Sequence, residues 1–204
     1  MFQEQVLPAH SLGLLRQLSP LLAQQGFYLA GGTALALRLG HRISVDLDFF
    51  TPGIFDPEAL LSFIEERCGE KSIVLQQSRA SICVILRETK VELLHYPYPQ
   101  LESHDLEDGI LLSSLPDNSA MKLSALTGRG SKKDFVDLAA LLEITPLETI
   151  LSSHQKKFPN TEIFTVMKSL SQFQDAEEEP DPQFLKGKTW EQTKEEVLHA
   201  LKTV

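Results

Sequence analysis

The chain has 204 residues, of which 42% are hydrophobic and 23% are charged, and its formal net charge is -9. The hydrophobic fraction is that of a globular protein, which excludes a largely disordered chain, and no stretch approaches the roughly 20 apolar residues that a membrane-spanning helix needs. The negative charge argues against binding of nucleic acid over a large surface, although it leaves room for one local basic patch.

The N-terminal segment and the cysteines bear on the compartment. The segment has no basic stretch and carries Glu4, so we expect no signal peptide. The two cysteines, Cys68 and Cys83, exclude a CxxC zinc site and fit a reducing environment. We therefore predict a cytoplasmic protein.

Sequence periodicity in the first hundred residues predicts one mixed α/β unit. The predicted helices cover residues 8–25, 33–39 and 57–67. The predicted strands cover residues 27–30, 44–49, 73–77, 81–86 and 91–96. We expect Thr33 and Asp56 to cap the second and third of these helices.

From about residue 117 the patterns become helical, with glycine and proline between the segments. Residues 175–182 are acidic and are predicted to form a solvated loop, and Trp190 begins a final amphipathic helix. The sequence thus predicts an α+β fold, with an α/β core over residues 1–115 and a helical C-terminal part over residues 116–204 that packs on it.

Asp46 and Asp48 form the first candidate site. They lie two residues apart in a predicted strand, so they share one face, while Val45, Leu47 and Phe49 are predicted to face the core. Two carboxylates this close repel each other unless a cation lies between them, and a hard cation such as Mg²⁺ prefers oxygen ligands.

Glu92 extends this pattern, because it lies between two apolar residues on another predicted strand. If the two strands are neighbours, Glu92 joins Asp46 and Asp48 in a three-carboxylate site, which can hold one or two metal ions for displacement at phosphorus. The alternative is that all three are ordinary residues of solvated strand faces. An EF-hand is excluded, because Thr51 and Pro57 occupy the positions that require Gly and Glu.

The Gly31-Gly32 pair follows a predicted buried strand and precedes a helix. Backbone N–H groups in such a turn can approach a phosphate, and Thr33 adds a hydroxyl. The pattern lacks the GxxxxGK of a P-loop, and a glycine pair is more often a plain turn. Its position before Asp46, with one helix between, lets the turn and the carboxylates face one cleft.

Basic and acidic residues further along are candidates for binding a triphosphate. Lys122 and Arg129 are seven residues apart and share a helix face if the helix extends that far, although a solvated basic face is the alternative. Asp134 and Asp137 lie three residues apart on the next helix, where they either orient the basic groups or the metal's surroundings or merely cap the helix. The position of Asp134 near the helix start favours capping, and Asp137 is the better functional candidate. Arg42 is either a phosphate ligand or part of an exposed loop.

Two segments resemble a known family, the AbiEii/AbiGii nucleotidyltransferase toxins of abortive-infection systems. LAGGTALALRLGHRISVDLDFF, residues 29–50, closely resembles the opening motif of that family. KLSALTGRGSKKDFVDLAALL, residues 122–142, resembles its later motifs, a lysine, an arginine and Asp-x-x-Asp. The resemblance extends over about residues 10–145.

This resemblance implies a DNA polymerase β-like nucleotidyltransferase fold and a function. The function is transfer of a nucleoside monophosphate from an NTP, with one or two Mg²⁺ ions, to an acceptor that in related toxins is a tRNA end. It also implies an antitoxin encoded by a neighbouring gene.

The resemblance also assigns residues by position. Gly31 and Gly32 take the phosphate turn, and Asp46 and Asp48 take the metal. The remaining assignments are Lys122 for the NTP, Asp137 for the last acidic position, and Glu92 for the third carboxylate of the wider superfamily. The superfamily usually has Gly-Ser where this chain has Gly-Gly-Thr, which leaves the role of Thr33 open. The predicted site thus has Asp46, Asp48, Glu92 and Asp137 as catalytic residues and Gly31, Gly32, Thr33, Arg42, Lys122 and Arg129 as substrate-binding residues.

Two further hypotheses compete with an RNA-modifying toxin. The first is a nucleotidyltransferase that acts on a small molecule such as an antibiotic, which the acidic net charge favours. The second is a non-catalytic module that binds a nucleotide without turning it over. A basic cluster around one cleft would favour RNA instead. Its members would be Arg38, Arg42, Lys122, Arg129, Lys132 and Lys133.

Overall fold

A seven-stranded mixed sheet organises residues 2–204, the part of the chain that the computed structural model describes. The strands are β1 Tyr28–Leu29, β2 Asp46–Thr51, β3 Ile73–Gln77, β4 Ser81–Leu86, β5 Thr89–His95, β6 Asp105–Glu107 and β7 Ile110–Leu112. The helices are α1 Ala9–Ala23, α2 Gly31–Leu39, α3 Pro57–Cys68, α4 Leu115–Gly128, α5 Lys132–Leu142, α6 Leu147–Lys157, α7 Ile163–Ser169, α8 Gln174–Glu177 and α9 Trp190–Leu201. The strand order is β3-β4-β5-β2-β1-β7-β6.

The centre of the sheet is the pair β2 and β5, which run parallel, while β4 and β1 flank them in antiparallel orientation. The register places Asp48 opposite Glu92. The neighbouring strands that the three-carboxylate prediction requires are therefore present, and the condition for that prediction is met.

The predicted fold class is confirmed: a mixed sheet carries helices, and the chain after Leu112 forms no further strand of this sheet. The strands predicted over residues 73–77 and 81–86 have the predicted bounds. β6 and β7 were not predicted, because three residues are too few for a period-two pattern to stand out. The domain division between residues 115 and 116 stays a prediction.

Two apolar clusters support the sheet and the helices. One lies between the sheet and α1 and α3, and it contains Leu47 and Phe49 from β2. The other joins α4, α5, α6 and α9, and Leu35 of α2 belongs to it. The prediction that Val45 faces the core is wrong, because 53% of Val45 is exposed and β2 begins only at Asp46.

One of the two predicted helix caps is confirmed. Asp56 accepts hydrogen bonds from the backbone N–H groups of Glu58 and Ala59 at 3.0 and 3.2 Å. Thr33 is not a cap, because α2 begins two residues earlier and Ala30 is its N-cap. The early start is possible because Gly31 adopts a positive φ of 69°, which a glycine tolerates at no steric cost.

The acidic segment over residues 175–182 is largely the solvated loop that its composition predicts: α8 takes only its first three residues, and Ala176 is its one buried residue. Glu177 accepts a hydrogen bond from Trp190 Nε1 at 2.9 Å, and Asp181 accepts one from Lys132 Nζ at 3.0 Å. Phe184 forms a β-bridge with Arg42. The loop is therefore exposed but held in place, and its basic and aromatic partners come from α5 and α9.

As for membranes, no helix within residues 2–204 combines the length and the hydropathy of a membrane span.

Candidate active site

Three of the four predicted catalytic acids, Asp46, Asp48 and Glu92, line one cleft, which we call the carboxylate cleft. Alternation along β2 keeps Asp46 and Asp48 on the face opposite to Leu47 and Phe49, and β5 adds Glu92 beside Asp48. The side chains of Asp46 and Glu92 are 28% and 31% exposed. Helix α4 covers this face of the sheet and leaves a cavity of about 420 Å³.

The surroundings of Asp48 disfavour the charged form of its carboxylate. Desolvation in the cleft, together with the negative charges of Asp46 and Glu92, raises the pKa of Asp48 to about 6. The folded protein therefore holds this carboxylate in a place that disfavours its charge, and a bound cation would relieve that penalty.

The donor set fits a hard divalent cation such as Mg²⁺. Within residues 2–204, no three His, Cys, Asp or Glu side chains form a set that could hold a metal ion by themselves. Mg²⁺ usually needs fewer protein ligands, because it binds one or two carboxylates together with water and substrate phosphates. Asp46 and Asp48 can supply those two carboxylates.

Two lysines face these acids in the cleft. Lys133 Nζ lies 3.7 Å from Asp46 Oδ2, and Lys90 Nζ lies 3.9 Å from Glu92 Oε2. Lys90 was not among the predicted site residues, although it lies two residues before Glu92 on the same strand face, a spacing that could have revealed it. Both lysines are partly exposed, so they can move toward an incoming anion.

The glycine turn lies beside Asp48, so the turn and the carboxylates face one cleft, as the sequence predicted. A Cβ on Gly31 would lie 3.1 Å from Asp48 Oδ2. Gly31 N–H donates to Asn118 Oδ1 at 3.1 Å, and Asn118 Nδ2 donates to the Gly31 carbonyl at 3.3 Å. Asn118 on α4 thus fixes the turn against the helical part, a role that no sequence spacing indicates.

Behind the turn lies a set of buried ion pairs, which we call the charge cluster: Arg42, Lys122, Asp134 and Asp137. Asp137 accepts from Arg42 Nε at 2.7 Å and from Arg42 Nη2 at 2.9 Å. Lys122 Nζ lies 2.8 Å from Asp134 and 2.7 Å from Asp137. Both aspartates are fully buried, and Arg42 and Lys122 hold the pKa of Asp137 well below its usual range despite desolvation, the largest single influence.

The charge cluster changes what three predicted site residues can do. Asp137 contacts no cavity and is surrounded by Arg42, Lys122 and His41, whose Nε2 lies 2.6 Å from its carboxylate. This arrangement favours a positioning role for Asp137 over a catalytic one. Lys122 borders the carboxylate cleft and Arg42 borders an adjoining small cavity, but both are 5% exposed or less.

The remaining predicted residues are Arg129 and Thr33. Arg129, at the C-terminal end of α4, donates to Asp134 at 2.7 and 3.0 Å, yet its side chain is 60% exposed and borders the cleft. Asp134 therefore orients basic side chains, which is one of its two predicted roles, whereas the helix cap that its position favoured is not formed, because Ser131 is the N-cap of α5. The Thr33 hydroxyl lies 2.8 Å from Ser44 Oγ and also donates to the Asp46 carbonyl, so it fixes the start of β2.

Gly32 is predicted to be intolerant of any side chain. A Cβ there would lie 2.2 Å from Arg42 Nη2 and 3.1 Å from Asp137 Oδ2, and the two bonds to Asp137 prevent the guanidinium from moving away freely. We expect Gly32→Ala to lower the free energy of unfolding by about 1–3 kcal/mol, measured by urea denaturation.

Gly13 gives a matched control for this substitution. It is exposed within α1, and a Cβ there has nothing within 4 Å. Gly13→Ala should stabilise the protein by about 0.5–1 kcal/mol, because alanine is the better helix former. Equal effects of the two substitutions would contradict the proposed crowding at Gly32.

A larger cavity of about 970 Å³ lies elsewhere, between α5, α6 and α9. It includes Glu143, Lys188 and His199 and none of the predicted site residues. A large volume alone does not indicate a catalytic site, so we assign the candidate active site to the carboxylate cleft.

Comparisons with solved structures identify the fold. A crystal structure of JHP933 from Helicobacter pylori has a TM-score of 0.62 and 19% identity, and the match covers 100% of this chain and 93% of that one. MenT4, the nucleotidyltransferase toxin Rv2826c from Mycobacterium tuberculosis H37Rv, has a TM-score of 0.53 and 17% identity, covering 97% and 86% of the two chains. These similarities show a nucleotidyltransferase fold.

The family follows from sequence comparison. Residues 13–97 match the family described as nucleotidyl transferase AbiEii toxin, type IV TA system. An uncharacterized protein of Aquifex aeolicus strain VF5 is 39% identical over 163 residues, which cover 75% of this chain and 76% of that protein. The chain belongs to the AbiEii nucleotidyltransferase family, and it is a transferase.

Proposed function

We propose that this protein transfers a nucleoside monophosphate from an Mg²⁺-bound NTP to an RNA acceptor, a tRNA end, as the toxin of a toxin–antitoxin pair in the cytoplasm. The observation that carries the proposal is the carboxylate cleft, where Asp46, Asp48 and Glu92 lie beside a glycine turn at the start of α2. The family description supports the toxin role and a partner antitoxin.

In the proposed reaction, the acceptor hydroxyl attacks the α-phosphorus, the bond to the bridging oxygen breaks, and pyrophosphate leaves. Mg²⁺ held by Asp46 and Asp48 would supply positive charge against the developing negative charge. Glu92, which lies beside Asp48, accepts the proton of the attacking hydroxyl or completes the metal site. The Gly31-Gly32 turn, with Lys133 and Arg129, orients the triphosphate.

The six basic residues whose clustering would favour RNA gather around the cleft only in part. Lys133 and Arg129 border the cleft, and Arg42 and Lys122 lie behind it in the charge cluster. Arg38 and Lys132 are directed elsewhere, since they pair with Asp105 and Asp181. The basic patch is therefore local, which suits the end of an RNA better than a long duplex.

The proposal predicts labelling of RNA in vitro. Purified protein with Mg²⁺ and α-labelled NTPs should label total tRNA, and EDTA should abolish the label. Parallel reactions with aminoglycosides and other small hydroxyl compounds test a small-molecule acceptor. Labelling of such a compound, with none of tRNA, would overturn the RNA proposal but keep the transferase.

A matched variant distinguishes the loss of a carboxylate in the cleft from the loss of a negative charge elsewhere on the protein. Asp175 is an exposed aspartate outside the cleft, so Asp175→Asn should leave labelling unchanged. Asp46→Asn should abolish it. Equal labelling by the two variants would show that the carboxylate cleft is not the site of transfer.

A further inference from the structure

One end of the carboxylate cleft is apolar and aromatic. We call it the aromatic end, and it consists of Phe50, Leu94, Tyr96 and Met121. Phe50 follows Asp48 by two residues on β2, and Leu94 follows Glu92 by two on β5, so both project from the same sheet face as the acids. The acidic residues and the aromatic end therefore follow one another along the same strands.

The aromatic end is held in shape by its neighbours. The rings of Phe50 and Tyr96 are 5.2 Å apart at their centroids and meet edge to face, and Tyr28 stacks on Phe50 at 6.2 Å. The Tyr96 backbone N–H donates to the Thr51 carbonyl at 2.7 Å, and Lys157 Nζ lies 5.7 Å from the centroid of the Tyr96 ring. These contacts position both rings before any ligand arrives.

The opposite wall leaves space over the rings. It is formed by α4, where Met121, Ala125 and Gly128 are spaced by four and three residues and share one helix face. Ala125 and Gly128 are small, so a flat ring can enter between this helix face and the sheet. Aromatic walls of this kind bind nucleobases by stacking, which every base permits.

We propose that the aromatic end binds the nucleobase of the NTP, which stacks on Tyr96 and meets Phe50 edge to face. The proposal rests on the proposed function, because it assumes that the cleft binds an NTP. Along β2 and β5, the level of Asp46 and Lys90 is followed by that of Asp48 and Glu92, with the glycine turn beside Asp48, and then by that of Phe50 and Leu94. A triphosphate and its metal at the acids would thus leave the nucleoside at the aromatic end. Phe50 and Tyr96 thereby become base-binding residues that accept any of the four bases.

Binding experiments with two probes test this assignment. The probes are a non-hydrolysable NTP analogue and inorganic tripolyphosphate, each titrated with Mg²⁺ by calorimetry. Tripolyphosphate has no base, so the wild-type protein should bind the NTP analogue about 10-fold more tightly or better. In Tyr96→Ala this preference should shrink to near 1, while the affinity for tripolyphosphate stays the same.

A second variant guards against damage to the fold. Ala125→Leu fills the space from the α4 side and leaves both rings in place, so it should weaken binding of the NTP analogue and spare tripolyphosphate. Tyr96→Phe keeps the ring and should bind like the wild type. Thermal melting identifies any variant that has lost its fold.

The outcomes are distinct. Equal affinity of the wild-type protein for both probes would overturn the nucleobase assignment, as would a parallel loss of both affinities in folded Ala125→Leu. If Tyr96→Ala raises the KM for the acceptor and leaves NTP affinity unchanged, the rings contact the acceptor and the assignment is also overturned. A base-dependent preference without any transfer would contradict the proposed function alone.

Discussion

Replacing Asp48 by Asn should abolish nucleotidyl transfer and, at the same time, stabilise the metal-free protein. The loss of activity should be about 10³-fold, because metal ligation contributes several kcal/mol of transition-state stabilisation. The gain in stability arises because burial and the charges of Asp46 and Glu92 disfavour the Asp48 carboxylate, whose pKa is raised to about 6.

The sign of the pH dependence follows from that pKa. The unfolded chain ionises Asp48 near 3.8, so the folded state binds the extra proton between pH 4 and 6. The free energy of unfolding of the wild type therefore falls as the pH rises through this window. Above pH 6 the full penalty, about 2–3 kcal/mol, opposes folding, and Asn removes it.

Thermal melting in EDTA at pH 7.5 measures this effect, and the Asp48→Asn protein should melt roughly 5 °C higher than the wild type. At pH 4 the difference should nearly vanish. Adding Mg²⁺ should raise the melting temperature of the wild type more than that of the variant. A variant that melts lower than the wild type at pH 7.5 would show that the carboxylate is not destabilising in the absence of metal.

Replacing Asp137 by Ala should cost about 3–5 kcal/mol of folding free energy, measured by urea denaturation. Asp137 is fully buried and accepts two hydrogen bonds from Arg42, and its removal leaves that guanidinium without its partner in the interior. Lys122 also loses one of its two carboxylates and keeps only Asp134.

Asp105→Ala is the matched control, because Asp105 also pairs with an arginine, Arg38, but is 58% exposed. Exposed pairs contribute little, so its loss should cost less than about 1 kcal/mol.

The pKa of Asp137 is well below its usual value, so the contribution of Asp137 to the free energy of unfolding is complete above pH 4 and is lost only as the pH falls toward that low pKa.

The result for Asp137 also decides between two roles. If Asp137→Ala is as stable as the wild type but inactive, Asp137 acts directly in the reaction. If it is strongly destabilised and Asp137→Asn recovers part of both stability and activity, Asp137 positions Arg42 and Lys122 behind the glycine turn.

The local patterns of the sequence were sufficient to predict the acidic face of the cleft. Period-two alternation placed Asp46 and Asp48 together, and the short helix between Gly32 and Asp46 placed the turn beside them. These features depend on residues that are close in sequence, so they can be predicted without knowing the tertiary structure.

The charge cluster could not be predicted in the same way. Arg42 and Asp137 are 95 positions apart, and nothing local to either indicates that they meet in the interior. The same holds for Asn118, whose amide reaches Gly31 across 87 positions. From the sequence, Arg42 therefore looks like a residue of an exposed or ligand-binding loop, although tertiary packing buries it.

The link between Asn118 and Gly31 has a consequence for how a substrate enters. The link joins the start of α2 to α4, and the ion pair between Lys122 and Asp137 joins α4 to α5 nearby. These contacts thus connect the two walls of the cleft at the end where the glycine turn lies. We therefore expect the width of the opening to change little when a substrate binds.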